Sequence, residues 1–373
     1  MAPLNKNTQV FLSLVRAGLW EQDVQLASFE QIDFNEVYRL AEEQSVVGLV
    51  AAGLEHVKDV KVPQEVALTF AGSTLQLELR NTNMNHFIEM IVDKMRESDI
   101  YTVLVKGQGL AQCYERPLWR ACGDIDFFLS NSNYSKAKSF LLPFASYVDD
   151  EDIYRDHLSM SIGEWVVELH GTMRPCLWRR LDNVLDEVTK SIFYEGEVRS
   201  WLNGRAQVFL PAANIDVIIV FSHIVQHFYN EGIGLRQICD WCRLLCFFKD
   251  VINPAILNHN LKRAGILSEW MVFASLAVNY LGMPEGFFPL YDNSKKNKMK
   301  ADKVMDFVLE VGNMGHNRDY SYYKKYPILI YKAISLWRHT IDALRIFPIF
   351  PFNSVKVWCN RLISGFINLF KGK

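Results

Sequence analysis

The sequence predicts an α+β protein in which a small mixed-sheet α/β core is embedded in a mainly helical chain. Three observations lead to this class. Apolar residues recur with helical spacing before residue 100 and after residue 181, the block between them contains apolar runs and alternating segments typical of strands, and helical segments separate these strands. Half of the residues are hydrophobic and 22% are charged, which is typical of a folded protein. The length of 373 residues predicts two or three structural units.

The N-terminal part has the pattern of packed helices. The segments FLSLVRAGLW, FNEVYRLAEEQ and SVVGLVAAGLEHV each have helical spacing, and Asp33 is placed to cap the second of them. From Glu65 to Glu97 the apolar residues keep this spacing up to the start of the central block. We therefore expect a helical segment over residues 1–78 and a further helix that opens the core.

The central block is predicted to alternate between strands and helices. TVLVKG is a buried strand closed by a glycine, GQGLAQCYERPLW a helix that ends near Pro117, DIDFFL a strand, and YSKAKSFLLPF an amphipathic helix. HLSMSIGEWVVELHGTM then gives two strands about a turn at Gly163. The predicted order of the core, residues 79–180, is helix-strand-helix-strand-helix-strand-strand.

Helical patterns dominate residues 181–373, the predicted C-terminal domain. The exception is a strand pair indicated around FYEGEVRSWLNGRAQVFL, where Asn203 and Gly204 mark a turn. The segment NIDVIIVFSHIVQHFYN is predicted to be a long helix. The cysteines of CDWCRLLC also have helical spacing, and we favour a buried helix face over a metal or redox site because no second cysteine pair completes a zinc site.

Composition and charge narrow the classes of function. The net charge of -2 and the pI of about 6.5 exclude the overall positive field of proteins that grip long nucleic acids. Seven cysteines, an odd number, and the lack of a secretory signal pattern indicate the cytoplasm. No apolar run of about 18 residues predicts a transmembrane span, and we interpret the aromatic tail at 346–370 as a helix packed on the protein, with peripheral membrane contact as the alternative.

Three acidic residues in the core are candidate metal ligands. Asp124 and Asp126 are two apart on a predicted strand, so both carboxylates point from the same face of the sheet. Such a pair of like charges usually holds a cation, and hard oxygen ligands suit Mg²⁺ or Mn²⁺. The same Asp-x-Asp pattern also occurs on surface strands and turns. Here apolar strand residues surround it, and a third acid, Glu168, lies between apolar residues of a later strand.

The passages VLVKGQGLAQCYERPLWRACGDIDFFL and VVELHGTM carry a resemblance. Together they resemble an uncharacterised bacterial nucleotidyltransferase family within the DNA polymerase beta-like superfamily. Gly107, Asp124, Asp126 and Glu168 match its glycine turn, its acid-apolar-acid strand and its third acid. The segment 221–245 resembles the helical part that follows this core, so the likeness covers roughly residues 30–250. Many superfamily members have Gly-Ser or Gly-Gly at the turn, whereas this chain has Lys106 before Gly107.

The resemblance implies a metal-dependent nucleotidyltransferase with the small mixed-sheet core of that superfamily. It would move a nucleotidyl group from a nucleoside triphosphate to an unidentified acceptor, which could be a protein, RNA, a small molecule or a sugar derivative, and pyrophosphate would leave. Asp124 and Asp126 would hold the Mg²⁺ or Mn²⁺ that orients the triphosphate. Glu168 would complete a second metal site and activate the acceptor hydroxyl. The alternative is a catalytically idle nucleotide-binding or scaffolding protein with the same fold.

Two cationic residues near the acids are candidate phosphate ligands. Lys106 lies at a strand end, where it could contact phosphate from beside Gly107, and the alternative is a surface lysine. Arg120 could bind phosphate with two parallel hydrogen bonds, and the alternative is a structural ion pair with Glu115 or Asp124.

Three histidines and a further arginine are predicted to line the same cleft. His170 shares a strand face with Glu168, where it could orient an acceptor, a phosphate or a carboxylate, or be purely structural. His223 and His227 are four residues apart on a predicted helix, and we favour a cleft-lining face over a zinc site. Arg236 fits a structural or cleft-lining pair with Asp240.

Overall fold

The computed structural model describes residues 4–318 and 325–370. The helices are α1 (Lys6–Trp20), α2 (Phe34–Glu43), α3 (Val47–Glu55), α4 (Gln64–Glu97), α5 (Gly107–Ala111), α6 (Asn131–Leu141), α7 (Arg179–Tyr194), α8 (Ala213–Asn230), α9 (Leu235–Phe247), α10 (Pro254–Ala264), α11 (Leu267–Leu281), α12 (Lys295–Val311), α13 (Ile328–Ile346) and α14 (Pro351–Phe370). The strands are β1 (Val103–Val105), β2 (Asp124–Phe128), β3 (Tyr147–Val148), β4 (His157–Ile162), β5 (Trp165–His170), β6 (Val198–Asn203) and β7 (Ala206–Pro211).

One mixed sheet contains these strands in the order β3-β4-β5-β2-β1-β7-β6. The pairs β2–β5 and β1–β7 are parallel and the other neighbours are antiparallel. The predicted α+β class and the predicted order of core elements are confirmed, with the two-residue β3 as an addition. The predicted strand pair about Gly204 is the hairpin β6–β7, which joins this sheet beside β1. The division of the chain at residues 78 and 180 stays a prediction.

The two faces of the sheet differ in chemistry because side chains alternate along each strand. Ile125, Phe127, Val167 and Leu169 point to one face, where they form a buried apolar cluster with α4 and α6. The residues between them include the three acids, which therefore point to the other face. The sequence thus places charge on one face of β2 and β5 and a continuous apolar layer on the other.

The charged face is opposite the helices α8 and α9. These helices are held by an aromatic core in which Phe221 stacks on Trp241 with ring centroids 4.9 Å apart and meets Trp270 edge-on at 4.8 Å. Cys239 and Cys242 are buried in α9, in agreement with the interpretation of a buried helix face. A cleft is left between the sheet and the polar side of α8.

The helix after Gly107 differs from its prediction. It was expected to continue to Pro117, but α5 ends at Ala111, and Pro117 begins a short 3-10 turn instead. Tertiary contacts explain why α5 ends early. The hydroxyl of Tyr114 donates to Asp240 on α9, and Arg120 binds the same carboxylate, so the chain is drawn away from the axis of α5.

The chain ends follow the predicted helical patterns. Asp33 caps α2, because its carboxylate accepts the backbone N–H of Asn35 at 3.0 Å and of Glu36 at 3.2 Å. The tail forms α14, and its amphipathic run at 361–373 lies mostly outside the residues whose side chains are described, so a packed helix stays the prediction for this run and peripheral membrane contact stays its alternative. Across 4–318 and 325–370, the structure contains no helix with the length and apolarity to span a bilayer.

Candidate functional site

Three carboxylates converge on the charged face of the sheet. Asp124 and Asp126 lie on β2, and β5 runs parallel beside it with Glu168 in register with Asp126. One carboxylate oxygen from each acid lies within 4.8 Å of the others. The two aspartates share a face of β2, as the period of a strand predicts, and Glu168 points from the same face of the neighbouring β5.

Asp126 is the most buried of the three acids, with 2% of its side chain exposed. Its carboxylate accepts hydrogen bonds from Lys106 Nζ at 2.7 Å and from His170 Nε2 at 2.8 Å. Burial raises the pKa of Asp126, but the cationic Lys106 and the His170 bond outweigh burial and bring this pKa below its usual value. Asp126 is therefore ionised and paired.

Asp124 has a different environment. Among the residues that the structure describes, its carboxylate has no hydrogen-bond or ion-pair partner within 4 Å, although its backbone oxygen accepts from Cys122 Sγ. The charge of Asp126 and then burial raise the pKa of Asp124 above its usual value. This carboxylate has its full set of lone pairs free for a ligand.

Glu168 is bound by two histidines. His157 Nε2 lies 3.2 Å and His170 Nε2 lies 3.4 Å from the same oxygen of Glu168. Burial raises the pKa of Glu168, but these bonds lower it well below its usual range. Burial in turn lowers the pKa of His170, and its bonds to Asp126 and Glu168 outweigh burial and raise it. His170 therefore keeps its proton to a higher pH than an ordinary histidine does.

The turn between β1 and α5 is strained. Lys106 has φ 58° and ψ -146°, and Gly107 follows with φ +43°. A non-glycine residue in this region costs about 1–3 kcal/mol, which neighbouring interactions must offset. The ion pair with Asp126 contributes here, and only 14% of the Lys106 side chain is exposed, so the alternative of a surface lysine is wrong. Its contact with phosphate stays a prediction.

Arg120 has a structural partner in the observed geometry. Its guanidinium binds Asp240 through Nε at 3.0 Å and Nη2 at 2.6 Å, and 6% of its side chain is exposed. The ion pair expected with Glu115 or Asp124 is therefore not formed, because Arg120 turns towards α9 and Glu115 binds Arg243. The Nη1 atom of Arg120 has no partner among the described residues, and the side chain borders the cleft.

The cleft has a volume of about 320 Å³ and is open to solvent. The three acids, Lys106, Gly107 and His170 line one side of it. Helices α8 and α9 supply the other side, which includes His223, His227 and Arg236. A cavity of this size between two packed layers is typical of a small-molecule site.

The two helix histidines form a hydrogen-bonded chain. The Nε2 atoms of His223 and His227 are 2.8 Å apart, and His227 Nδ1 is 2.8 Å from Glu231. Because His227 uses both of its nitrogens in these bonds, the two histidines form a polar part of the cleft lining rather than a zinc site. Burial brings the pKa of His223 well below its usual value, so this histidine is neutral. Arg236 donates from Nη1 to the Ala121 carbonyl, and the predicted pair with Asp240 is replaced by the Arg120 pair.

Sequence reasoning missed His157. The hairpin β4–β5 pairs Ile162 with Trp165 about the turn at Gly163, which places His157 directly opposite His170. Since hairpin register follows from the turn, counting outward from Gly163 is the signal that could have found this residue. Glu231 was missed too, and its position one helical turn after His227 was the available signal.

The donor set fits a hard divalent cation. Three carboxylate oxygens lie within the span that one or two small ions can bridge, and Asp124 has no competing partner among the described residues. Lys106 neutralises part of the charge of Asp126, and Glu168 is hydrogen-bonded to the histidines.

Comparisons with known proteins agree with this geometry. No curated protein and no solved structure gave a match to the chain. The profile of a family described as uncharacterised nucleotidyltransferase matches residues 30–282, which is more than half of the 373 residues and includes the three acids and the wall formed by α8 and α9. The resemblance to an uncharacterised nucleotidyltransferase family is confirmed, while its bacterial origin stays a prediction, and the chain belongs to this family of uncharacterised nucleotidyltransferases.

Proposed function

We propose that this protein transfers a nucleotidyl group from a nucleoside triphosphate to an acceptor hydroxyl in a reaction that depends on Mg²⁺ or Mn²⁺. The observation that supports this most is the convergence of Asp124, Asp126 and Glu168 in one open cleft. The acceptor oxygen forms a bond to the α-phosphorus, the bond from that phosphorus to the bridging oxygen breaks, and pyrophosphate leaves. The hydroxyl proton passes to a carboxylate or to solvent.

The acids would hold the cations, with Asp124 and Asp126 on the triphosphate side and Glu168 towards the acceptor. Bound cations would neutralise the charge that develops on the phosphate oxygens. The catalytic work of the chain is positioning, because β2 and β5 fix the three carboxylates on a rigid sheet. Lys106 is placed to exchange its bond to Asp126 for one to a phosphate oxygen, since its amine already lies in the cleft.

The wall formed by α8 and α9 would bind the acceptor. His223 is neutral and buried, and its partner His227 is fixed by Glu231, so this wall presents hydrogen-bonding groups in fixed orientations opposite the acids. Glu168 would orient the acceptor hydroxyl. The histidines that lower its pKa also make it a weak base, which favours this orienting role over proton abstraction before attack.

The test is incubation with each radiolabelled nucleoside triphosphate and Mg²⁺ or Mn²⁺ in a cell lysate that supplies acceptors. We expect pyrophosphate release and a labelled product with the wild type and neither with Asp124→Asn. Asp124 is the preferred position for this control because the substitution breaks no ion pair among the described residues. Nucleotide binding without release of pyrophosphate would instead support the idle nucleotide-binding or scaffolding protein.

A further inference from the structure

We propose a second cation site, formed by His157, Glu168 and His170, that takes a transition-metal ion such as Mn²⁺, Co²⁺ or Zn²⁺ in preference to Mg²⁺. One ligand atom from each of the three residues lies within 4.8 Å of the others. The site shares Glu168 with the acid cluster but differs from it in two nitrogen donors. Metal binding here does not require that the protein transfer nucleotides, and only the catalytic use of the ion rests on the proposed function.

The backbone fixes the three side chains on one face of a single hairpin. His157 on β4 is directly opposite His170 on β5, and Glu168 precedes His170 by two residues, which places it on the same face. The imidazole rings of the two histidines have centroids 4.8 Å apart. A site on paired strands has little freedom to spread, so the donors are held close together without a ligand.

The distances match the edges of a metal coordination polyhedron. Metal–nitrogen and metal–oxygen bonds of about 2.0–2.2 Å place neighbouring ligand atoms about 2.8–3.1 Å apart in octahedral geometry and about 3.3–3.6 Å apart in tetrahedral geometry. The distances from Glu168 to His157 and to His170 are 3.2 Å and 3.4 Å. An ion could therefore bind with small adjustments of the side chains.

The donor types determine the choice of ion. Imidazole nitrogen suits Zn²⁺, Co²⁺ and Mn²⁺, whereas Mg²⁺ is bound through oxygen ligands and water. Oδ1 of Asp126 lies 2.8 Å from His170 Nε2. Asp126 therefore lies between this site and Asp124. The cleft thus contains two neighbouring cation positions that share Glu168. The acids alone form one, and Glu168 with the two histidines forms the other.

The competing explanation is that the cluster binds no metal and that the histidines are simply hydrogen-bond donors to Glu168. Metal titration of the full chain, stripped with a chelator and measured without nucleotide, separates the two explanations. We expect Zn²⁺ to bind at least tenfold more weakly to His157→Gln than to the wild type, while Mg²⁺ affinity changes less than twofold. The matched control is His86→Gln, because His86 is 80% exposed and has a similar 3.4 Å contact with Glu89.

Pulsed EPR of Mn²⁺ bound to the wild type tests the site directly, and this measurement does not depend on whether a variant folds. We expect couplings to imidazole nitrogen that are lost in His157→Gln or strongly reduced. Absence of nitrogen coupling in the wild type, or equal Zn²⁺ affinity in both proteins, would overturn the site. A protein that shows these couplings and yet releases no pyrophosphate would keep this metal site and lose the proposed function, so the two failures are distinguishable.

Discussion

The two aspartates of β2 should respond in opposite ways to the same substitution. Asp126 binds Lys106 and His170, whereas the Asp124 carboxylate has no bonded partner among the described residues. From the sequence alone, both asparagine variants are expected to relieve repulsion and leave the fold intact. The observed pairing limits that expectation to Asp124.

The magnitudes follow from burial and distance. Asp126→Asn leaves the buried amine of Lys106 without the carboxylate that it binds, and removing one partner of a buried pair costs about 3–5 kcal/mol of the free energy of unfolding. Asp124 and Asp126 have carboxylate oxygens within 4.8 Å, and two charges at that distance repel by about 3 kcal/mol at an effective dielectric constant of about 20. The nearby charge of Lys106 offsets part of this repulsion, so Asp124→Asn should stabilise the metal-free protein by about 1 kcal/mol.

Urea unfolding at pH 7.5 in the presence of a chelator measures both changes. The control is Asp250→Asn, because this aspartate is 85% exposed and its substitution should change the free energy of unfolding by less than about 0.5 kcal/mol. Both site variants should also lose the stabilisation that the wild type gains when Mn²⁺ is added. Equal and large losses of stability in the two metal-free variants would refute the reasoning, because Asp124 would then be a structural partner.

Three further outcomes are expected. Arg120→Lys should lose about 2–4 kcal/mol of unfolding free energy because lysine cannot replace both bonds to Asp240, and unchanged stability with weaker nucleotide binding would assign Arg120 to phosphate instead. In urea unfolding, Gly18→Ala should cost more than about 2 kcal/mol since its Cβ would lie 1.9 Å from a backbone oxygen, while Gly72→Ala, with open space around it, should gain about 0.5–1 kcal/mol. Burial and then nearby arginines lower the pKa of His339 to about 3, so the folded protein does not take up the proton that the unfolded chain gains as the pH falls through about 6.5. Between pH 7 and pH 5 the wild type should therefore lose about 2 kcal/mol of unfolding free energy, and His339→Gln should not. Identical pH profiles of the two proteins would contradict this.

The periodic features of the sequence predicted most of the fold. Helical spacing gave α1–α4 and α8, and alternation gave β2, β4 and β5, because each pattern records which side chains are buried. The shared face of Asp124 and Asp126 follows from the period of a strand. Strand order does not follow from such patterns. That β6–β7 joins the sheet beside β1 depends on contacts between residues about 100 positions apart.

The partners of the charged residues could not be predicted for the same reason. Arg120 and Asp240 are 120 positions apart, and their pairing requires that α9 pack against the turn after α5. The sequence identified Arg120 as a charged residue near the acids and suggested the local partners Glu115 and Asp124. Local spacing is a good guide on one helix or one hairpin, as at His157, and gives no information where two distant elements meet.

The strained turn and the acid pair account for each other. A pair of like charges this close together is costly without a cation, and a lysine with positive φ is costly without a compensating contact. The ion pair between Lys106 and Asp126 reduces both costs at once, because the unusual backbone of Lys106 directs its amine to the carboxylate. A cation bound to Asp126 would replace that contact and would free the amine in the same cleft. Under the proposed function, the amine of Lys106 would therefore occupy the place of a metal beside Asp126 and would be released for phosphate when the metal binds.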